Sequence, residues 1–282
     1  MFICCFLKWF SYIFTGIIAL LLIVLFFLSL FNPSAPINES TKTCLITGAS
    51  SGMGCEIARE MVKRGWKVIG VARRQEKLND LGHELGATFI PYVCDVANAQ
   101  QVHEVSEDIK IKGFEPTLFF LNAGTAVLLK KFQPMFNEQK QTFDTNYFGV
   151  ISWVNEWLND VKTYGGGTFV ATSSIMSIFA GPDTSGYGAS KAAVNSCFRS
   201  LRLQYRNDNI GFAIVVPGPV KTEMLKGDMK NLPFVHDPKD EALYIVEQVF
   251  KRNKQIEPSW LYSYLARILN WLPDPVVLMV WK

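Results

Sequence analysis

A tyrosine and a lysine four residues apart, Tyr187 and Lys191, carry the strongest chemical signal in this sequence. Residues i and i+4 lie on one face of a helix, so the phenol and the ammonium can point into the same site. A phenol with its usual pKa near 10 is a poor proton donor or acceptor at neutral pH, but a nearby positive charge lowers that pKa. The pair is therefore a candidate for general acid–base catalysis, although the same spacing also describes an ordinary pair on a helix surface.

A glycine cluster near the start of the chain is the second chemical signal. Thr47-Gly48-Ala49-Ser50-Ser51-Gly52-Met53-Gly54 follows a short apolar run and precedes an amphipathic stretch. Glycines let the turn tighten and let backbone N–H groups approach a pyrophosphate, whose charge is favoured at a helix N-terminus. The position between a predicted strand and a predicted helix favours dinucleotide binding over an ordinary loop.

The spacing of this loop is TGxxxGxG, and with it the sequence resembles the short-chain dehydrogenase/reductase family over most of the region from Thr43 to Thr222. Three further motifs follow in the family's order. Cys94-Asp95-Val96 is similar to the segment whose Asp binds the adenine amino group, and Asn122-Ala123-Gly124 to the motif that supports the sheet and the cofactor's ribose. Pro217–Thr222 is similar to the segment that contacts the nicotinamide end. Each motif alone would be an ordinary loop, but their joint order favours the family.

The resemblance also implies a set of four catalytic residues. Ser174, thirteen residues before Tyr187, stands where the family has the serine that steadies the substrate oxygen, while the tyrosine transfers the proton. Lys191 would hold the ribose hydroxyls and, together with the oxidised nicotinamide, lower the pKa of the tyrosine. Asn146 would anchor a proton-relay water. Ser173 is adjacent, and one of the two serines can simply cap the turn. Asn146 alone would be a helix-interior polar residue that is satisfied locally.

The end of the second predicted strand bears on the choice of cofactor. It reads Val71-Ala72-Arg73-Arg74 and has no acidic residue to hold the ribose 2′-OH of NAD. Because a guanidinium suits a 2′-phosphate, we expect NADP(H) rather than NAD, with a solvated surface pair as the alternative. The expected cofactor-binding residues are Gly48, Ser50, Ser51, Gly52, Met53, Gly54, Arg73, Arg74, Asp95, Val96, Asn122, Ala123, Gly124, Tyr187, Lys191, Pro217, Gly218, Val220 and Thr222.

The elements that must position these residues alternate along the chain. Short continuous apolar runs, typical of strands covered on both faces, are predicted at Thr43–Thr47, Trp66–Ala72, Thr88–Val93, Thr117–Leu121, Thr168–Thr172 and Ile210–Val216. Helices are predicted at Gly52–Arg64, Gln75–Leu85, Ala99–Lys112, across Pro134–Tyr164 and at Tyr187–Asn207. This alternation predicts an α/β fold with a doubly wound parallel sheet in a single Rossmann-like domain.

The N-terminus predicts a membrane anchor. Phe10 to Phe31 is almost entirely apolar, which is long enough to cross a bilayer as a helix. The run offers no clean cleavage site, so a retained anchor is favoured over a cleaved signal. We therefore expect a transmembrane anchor at 1–32, a linker at 33–42, the catalytic domain at 43–258 and a further segment at 259–282.

The composition of the C-terminal segment predicts a contact with an apolar surface. Trp260–Leu272 is rich in Trp and Tyr, which predicts either an interfacial helix on a bilayer or a helix packed on the domain or on a second subunit.

The substrate pocket is expected to be lined by three loops, Thr125–Phe132, Ile175–Gly186 and Met224–Val235. Their apolar residues favour a hydrophobic, lipid-, steroid- or retinoid-like substrate, although such loops are often partly apolar.

Composition excludes other partners. With 28 basic and 25 acidic residues and no basic run, the chain does not resemble a nucleic-acid-binding protein. The six cysteines and three histidines lack ligand spacing, so no metal site is expected. The count of positive charges on the two sides of the span is close to a tie and leans slightly toward a cytoplasmic N-terminus. The absence of a disulfide pattern and the availability of NADPH favour instead a domain facing the cytosol, which is the orientation expected. The resemblance implies a homodimer or homotetramer formed through the two long helices.

Together these features predict a membrane-anchored oxidoreductase that moves a hydride between NADP(H) and a carbonyl or hydroxyl group. A non-catalytic sensor or scaffold on the same fold is the alternative. Such a protein would be expected to lose Tyr187 or Lys191, and this chain keeps both.

Overall fold

The computed structural model describes residues 12–24, 35–127, 132, 135–179, 181–225 and 235–280. The chain divides into two units, Met1–Ser34 and Ala35–Lys282. In the first unit, residues 12–24 form helix α1, and all of their side chains are exposed.

The transmembrane helix predicted between Phe10 and Phe31 is not found. Within the described ranges, no helix has both the length and the apolar character needed to span a membrane. Helix α1 covers only the middle of the predicted span, and residues 10–11 and 25–31 lie outside the described part of the chain.

The second unit is built on a seven-stranded sheet in which every neighbouring pair is parallel. The strands are β1 Thr43–Thr47, β2 Lys67–Ala72, β3 Phe89–Val93, β4 Leu118–Leu121, β5 Gly167–Thr172, β6 Ile210–Val215 and β7 Gln255–Ile256. Their order across the sheet is β3-β2-β1-β4-β5-β6-β7. The chain winds in opposite directions from β1 and β4, so a crevice opens where their carboxyl ends meet. The predicted doubly wound parallel sheet is confirmed.

Helices connect the strands and cover both faces of the sheet. They are α2 Gly52–Lys63, α3 Gln75–Leu85, α4 Ala99–Ile111, α5 Phe136–Phe143, α6 Gly149–Thr163, α7 Ser185–Gln204, α8 Pro238–Phe250, α9 Trp260–Trp271 and α10 Asp274–Val280. Helices α4, α6 and α7 pack on one face, where Trp157 is fully buried. Helices α2, α3 and α8 pack on the other, where Met61 is fully buried. Alternate residues of β1 serve the two layers, with Leu45 in the first and Ile46 in the second, which explains the continuous apolar runs.

Two helices, α5 and α6, lie in the region Pro134–Tyr164, where helices are predicted. Helix α5 ends at Phe143, and a π-helical turn, Asp144–Phe148, joins it to α6. A π turn inserts one extra residue into the helical register and is frequent at functional sites. This turn places Asn146, which is fully buried, toward the interior of the domain.

The ends of the second unit are folded onto it. The Asn38 side chain donates hydrogen bonds to the carbonyls of Tyr164 and Gly166, both at 2.9 Å. Near the C-terminus, Ser263 and Ala266 of α9 are buried. The compact unit therefore includes residues 35–42 of the segment predicted to be a linker, and helices α9 and α10 of the C-terminal segment.

Candidate active site

The carboxyl ends of three central strands are tied together by polar side chains. The backbone N–H of Ala123 donates to Thr47 Oγ1 at 3.0 Å, which joins the loop after β4 to β1. The hydroxyl of Thr172 donates to Asn122 Oδ1 at 3.2 Å, which joins β5 to the same loop. The Asn122-Ala123-Gly124 segment thus fixes the floor of the crevice.

The glycine loop forms one wall of the crevice, and its shape requires glycine. Gly48 has φ of +72° and Gly52 has φ of +57°, both in the left-handed region that favours glycine. A Cβ on Gly52 would lie 2.9 Å from Thr222 Cγ2, and one on Gly54 would lie 2.4 Å from the Gly48 carbonyl oxygen. The backbone therefore borders the crevice closely, as a loop that cradles a pyrophosphate must.

A cleft of about 380 Å³ opens above this loop. Its walls include most of the expected cofactor-binding residues, namely Gly48, Ser50, Ser51, Gly52, Met53, Arg73, Arg74, Asp95, Val96, Asn122, Ala123, Gly124 and Thr222. A glycine cradle, an acidic residue and two arginines along one cleft fit a dinucleotide with an additional phosphate.

Other expected cofactor-binding residues lie off the wall of the cleft. Gly54 packs behind Gly48, and Gly218 is packed so tightly that a Cβ there would meet the Ser259 side chain at 2.7 Å. Val220 is buried and bridges to His236 in a short parallel pairing. Gly54, Gly218 and Val220 therefore shape the loops that carry the wall residues.

The two arginines at the end of β2 differ in their contacts. Arg73 is mostly exposed, with its Nη1 atom 3.8 Å from Asp95 Oδ2. Arg74 donates from Nη2 to Ser50 Oγ at 3.1 Å and to Ser51 Oγ at 2.5 Å. Its Nη1 atom donates to Glu223 Oε2 at 2.5 Å. The sequence did not single out Glu223, which lies 149 residues further along the chain.

The catalytic candidates come from β5 and α7. Ser174 follows β5, and its Oγ atom accepts a hydrogen bond from the Met176 backbone N–H at 3.1 Å. The Ser174 hydroxyl also lies close enough to the phenol of Tyr187 to lower the pKa of that phenol. Ser173 turns the other way, and its hydroxyl donates to the Lys191 carbonyl at 3.3 Å. Of the two adjacent serines, Ser174 thus faces the tyrosine.

Burial determines the charge of the tyrosine–lysine pair. Burial raises the pKa of Tyr187, while the neighbouring Ser174 hydroxyl lowers that pKa by a smaller amount. Lys191 is 2% exposed, and burial lowers its pKa to about 8. Its Nζ atom donates to the Thr172 carbonyl at 2.7 Å and lies 5.9 Å from the centre of the Tyr187 ring. The Lys191 ammonium faces a carbonyl and the ring of Tyr187 rather than the phenol oxygen, so among the protein's own groups its charge does not offset the effect of burial on the pKa of Tyr187.

Asn146 is held from two sides. Its Oδ1 atom accepts from the Thr125 backbone N–H at 2.8 Å, and its Nδ2 atom donates to the Thr125 carbonyl at 2.9 Å and to Ser190 Oγ at 3.0 Å. A Cβ on Gly124 would lie 3.3 Å from both Asn146 Oδ1 and Lys191 Nζ. The absence of a side chain at Gly124 thus lets the asparagine and the lysine approach the same edge of the cleft.

Two further residues support the serine. The Asn195 amide donates to Ser177 Oγ at 2.7 Å, and the Ser177 hydroxyl donates to the Ser174 carbonyl at 2.5 Å. Asn195 is four residues after Lys191 on α7, so it continues the face that carries Tyr187. Extending the i+4 spacing by one step would have identified Asn195 from the sequence.

The loops expected to line the substrate pocket are described only in part. Ile175, Ile178 and Phe179 follow Ser174, and Met224 lines the cleft with 41% of its surface exposed. Residues 128–131, 133–134, 180 and 226–234, among them the predicted pocket residues Leu128, Leu129 and Phe234, lie outside the described part of the chain.

Fold and site together define an α/β enzyme with a dinucleotide cleft next to a serine–tyrosine–lysine cluster. The family model described as "short chain dehydrogenase" matches residues 42–232. The chain belongs to this family and is one of its oxidoreductases, as the sequence motifs predict.

Several characterised proteins are similar along most of the chain. The NADPH-dependent 1-acyldihydroxyacetone phosphate reductase of Saccharomyces cerevisiae is 29% identical over 246 residues, covering 85% of this chain and 82% of the yeast protein. The 11-beta-hydroxysteroid dehydrogenase 1A of Arabidopsis thaliana is 29% identical over 269 residues, covering 86% of this chain and 76% of that protein. The fold matches a short chain dehydrogenase/reductase from Burkholderia phymatum in complex with NAD, with a TM-score of 0.75, 21% identity and coverage of 84% of this chain and 94% of the other.

Proposed function

We propose that the protein is an NADP(H)-dependent carbonyl reductase or alcohol dehydrogenase in which Tyr187 is the general acid–base. The observation that carries this proposal is the placement of the Ser174 hydroxyl next to the Tyr187 phenol, with Lys191 buried beside them at the edge of the dinucleotide cleft. NADP(H), when bound, supplies or accepts the hydride at the substrate carbon. In the direction of reduction, Tyr187 gives its phenolic proton to the carbonyl oxygen while the Ser174 hydroxyl donates a hydrogen bond to it.

Lys191 and Asn146 support this proton transfer. The Lys191 ammonium has one acceptor, the Thr172 carbonyl, among the described residues, so it retains donors for the ribose hydroxyls. The Asn146 amide fixes the backbone of Thr125 next to the cleft and is joined to α7 through Ser190. We propose that this edge of the cleft holds the water through which the proton is replaced.

The preference for NADP(H) over NAD(H) is supported by charge. The end of β2 offers Arg73 and Arg74 where an NAD-binding protein would carry an acidic residue. Both arginines line the cleft. The yeast relative is NADPH-dependent by name.

A hydrophobic substrate is supported by two observations. Apolar residues, including Ile175 and Ile178, follow Ser174, and Met224 is exposed at the cleft. The similar proteins from yeast and Arabidopsis are named for an acyl-bearing and a steroid substrate. We therefore propose a lipid-, steroid- or retinoid-like carbonyl compound or alcohol.

We further propose that the protein associates with a membrane by its N-terminal segment, with the catalytic domain on the cytosolic side. Exposed apolar side chains throughout helix α1 support an anchor. On α9, Trp260 and Trp271 are 70% and 85% exposed, as expected of a helix that also rests on a bilayer surface. A homodimer or homotetramer formed through α5–α6 and α7 is proposed by analogy with the family.

The Tyr187→Phe variant tests the proposed chemistry. It should lose about 10²- to 10⁴-fold in kcat/KM for NADPH-dependent reduction of lipid ketones and aldehydes, because the acid is removed. Its affinity for NADPH, measured by fluorescence titration, should stay close to that of the wild type. Near-normal turnover in the variant would refute the role of Tyr187. A wild type that binds NADPH but reduces none of the panel would favour the sensor or scaffold.

A further inference from the structure

The cations at the β2 end of the cleft are bridged by a carboxylate of the protein itself. Glu223, on the loop after β6, accepts from Arg74 Nη1 through Oε2 and contacts Lys77 Nζ through Oε1. The three side chains are about half exposed. Arg74 meanwhile holds the hydroxyls of Ser50 and Ser51 on the glycine loop. The arrangement joins three segments that are distant in the sequence.

Arg74 and Lys77 form an anion site, and it is occupied by a carboxylate of the same protein, that of Glu223. A carboxylate and a phosphate monoester bind the same donors, a planar guanidinium and an ammonium. Lys77 lies in the first turn of α3, where the helix N-terminus also favours an anion. Lys77 and Arg74 lower the pKa of Glu223 to about 2, so that the carboxylate is ionised at neutral pH.

Arg73 is placed differently. Its guanidinium lies 3.8 Å from the Asp95 carboxylate and away from the bridge. A phosphate that replaced the Glu223 carboxylate would therefore meet Arg74 and Lys77 together with the hydroxyls of Ser50 and Ser51. The cation that joins Arg74 here is thus Lys77, a residue outside the motifs found in the sequence.

We propose that Lys77 is a further 2′-phosphate-binding residue beside Arg74, and that Glu223 is an internal competitor which the phosphate displaces from both cations. This inference rests on the proposed NADP(H) function, because NADH has no 2′-phosphate. NADPH must break the two ion pairs of Glu223 in order to bind, whereas NADH leaves them in place. Glu223 therefore weakens NADPH binding selectively and narrows the difference in affinity between the two cofactors.

The test is fluorescence titration of NADPH and NADH with the full chain at fixed ionic strength. In Glu223→Gln, the dissociation constant for NADPH should fall about two- to tenfold, because two exposed ion pairs no longer compete. In Lys77→Gln, it should rise about tenfold, the loss of one charge-assisted hydrogen bond. In both variants the constant for NADH should stay within about twofold of the wild type.

Matched controls separate local contacts from overall charge. Glu247→Gln removes the same charge from an exposed glutamate that pairs with Lys251 on α8. Lys63→Gln removes an exposed lysine at the far end of α2, about 16 Å along the helix from Gly52. Adenosine 2′,5′-bisphosphate and AMP, used as competitors, should reproduce the difference between the two cofactors, since they differ by the 2′-phosphate.

The outcomes are distinguishable. If Glu223→Gln behaves like Glu247→Gln while the wild type prefers NADPH, the internal competitor is refuted and the proposed function stands. If Glu223→Gln weakens NADH instead, Glu223 holds the ribose hydroxyl and the inference is wrong. A wild type that prefers NADH would overturn the proposed cofactor itself.

Discussion

Replacing Lys191 by methionine should stabilise the folded protein at neutral pH in the absence of added cofactor. The ammonium is 2% exposed, and its Nζ atom donates to the Thr172 carbonyl. Methionine keeps an unbranched apolar side chain and removes the charge. The substitution should abolish efficient catalysis, because the proposed donor to the ribose hydroxyls is removed from beside the tyrosine. Stability and activity are therefore expected to change in opposite directions, as is common at functional sites.

The magnitude follows from the pKa of Lys191, which falls from its ordinary value of 10.5 to about 8 on folding. Each tenfold change in proton affinity corresponds to about 1.4 kcal/mol, so the buried charge costs about 3 kcal/mol at pH 7. A depressed folded-state pKa means that the unfolded chain binds more protons between pH 8 and 10.5. The free energy of unfolding of the wild type therefore rises with pH in that window.

The assay is urea unfolding of the wild type and Lys191→Met at several pH values. The hydrogen bond to Thr172 is lost at every pH and shifts the comparison by a constant of about 1 kcal/mol. The advantage of the variant should shrink by about 2.5 kcal/mol between pH 7 and pH 10. Lys63→Met, in which an exposed lysine is removed, supplies the baseline to subtract. A difference that is independent of pH would refute the buried-charge argument.

Two other predictions concern positioning and the membrane. Asn195→Ala should lower kcat about tenfold, the effect of losing one hydrogen bond, and should leave KM and the affinity for NADPH unchanged. Steady-state kinetics and NADPH titration measure these values. An equal rise in KM would contradict a positioning role for Asn195. In a chain that lacks Met1–Asn32, replacing both Trp260 and Trp271 by serine should abolish binding to phosphatidylcholine vesicles in a flotation assay. The melting temperature should not fall, because both indoles are exposed. Unchanged flotation of this shortened variant would exclude α9 as a membrane contact.

The regular part of the fold could be predicted because its signals are local. Strand β1 and helix α3 have the predicted bounds, Thr43–Thr47 and Gln75–Leu85. The two-residue strand β7 could not be predicted, since its only strand-like feature is its pairing with β6. Helix α8 was missed although Asp237 accepts from the Lys239 N–H as its N-cap and Pro238 opens the first turn, a recognisable start signal.

The π turn around Asn146 was also beyond the sequence. The apolar spacing of a helix with one extra residue differs little from that of two helices joined end to end, so the sequence predicts helices across Pro134–Tyr164 but not the π turn between them. The additional residue depends on the hydrogen bonds of Asn146 with Thr125 and Ser190, which come from the loop after β4 and from α7. Only the assembled domain brings these partners together.

The site shows the same division between local spacing and distant contacts. Tyr187 and Lys191 are four residues apart on one helix, so their proximity could be predicted from spacing alone. Glu223 is 149 residues away from Arg74 in the sequence and contacts it from the loop that follows strand β6. No local pattern marks Glu223 as a partner of Arg74, so the sequence does not indicate that Arg74 is paired with a carboxylate.

The pKa of Tyr187 depends more on the assembled domain than on the local sequence. The sequence predicts that positive charge from the lysine and from the oxidised nicotinamide lowers the pKa of Tyr187. Among the protein's own groups, burial has the larger effect and raises that pKa, because desolvation disfavours the phenolate. The atoms of β5, α7 and the loops around them together exclude water from the phenol. The Lys191 ammonium, in contrast, donates its hydrogen bond to the Thr172 carbonyl. The phenol therefore keeps its proton at neutral pH, which suits a donor to a carbonyl oxygen. For the reverse reaction, a base at this position would need an additional positive charge, which the oxidised nicotinamide of the bound cofactor would supply.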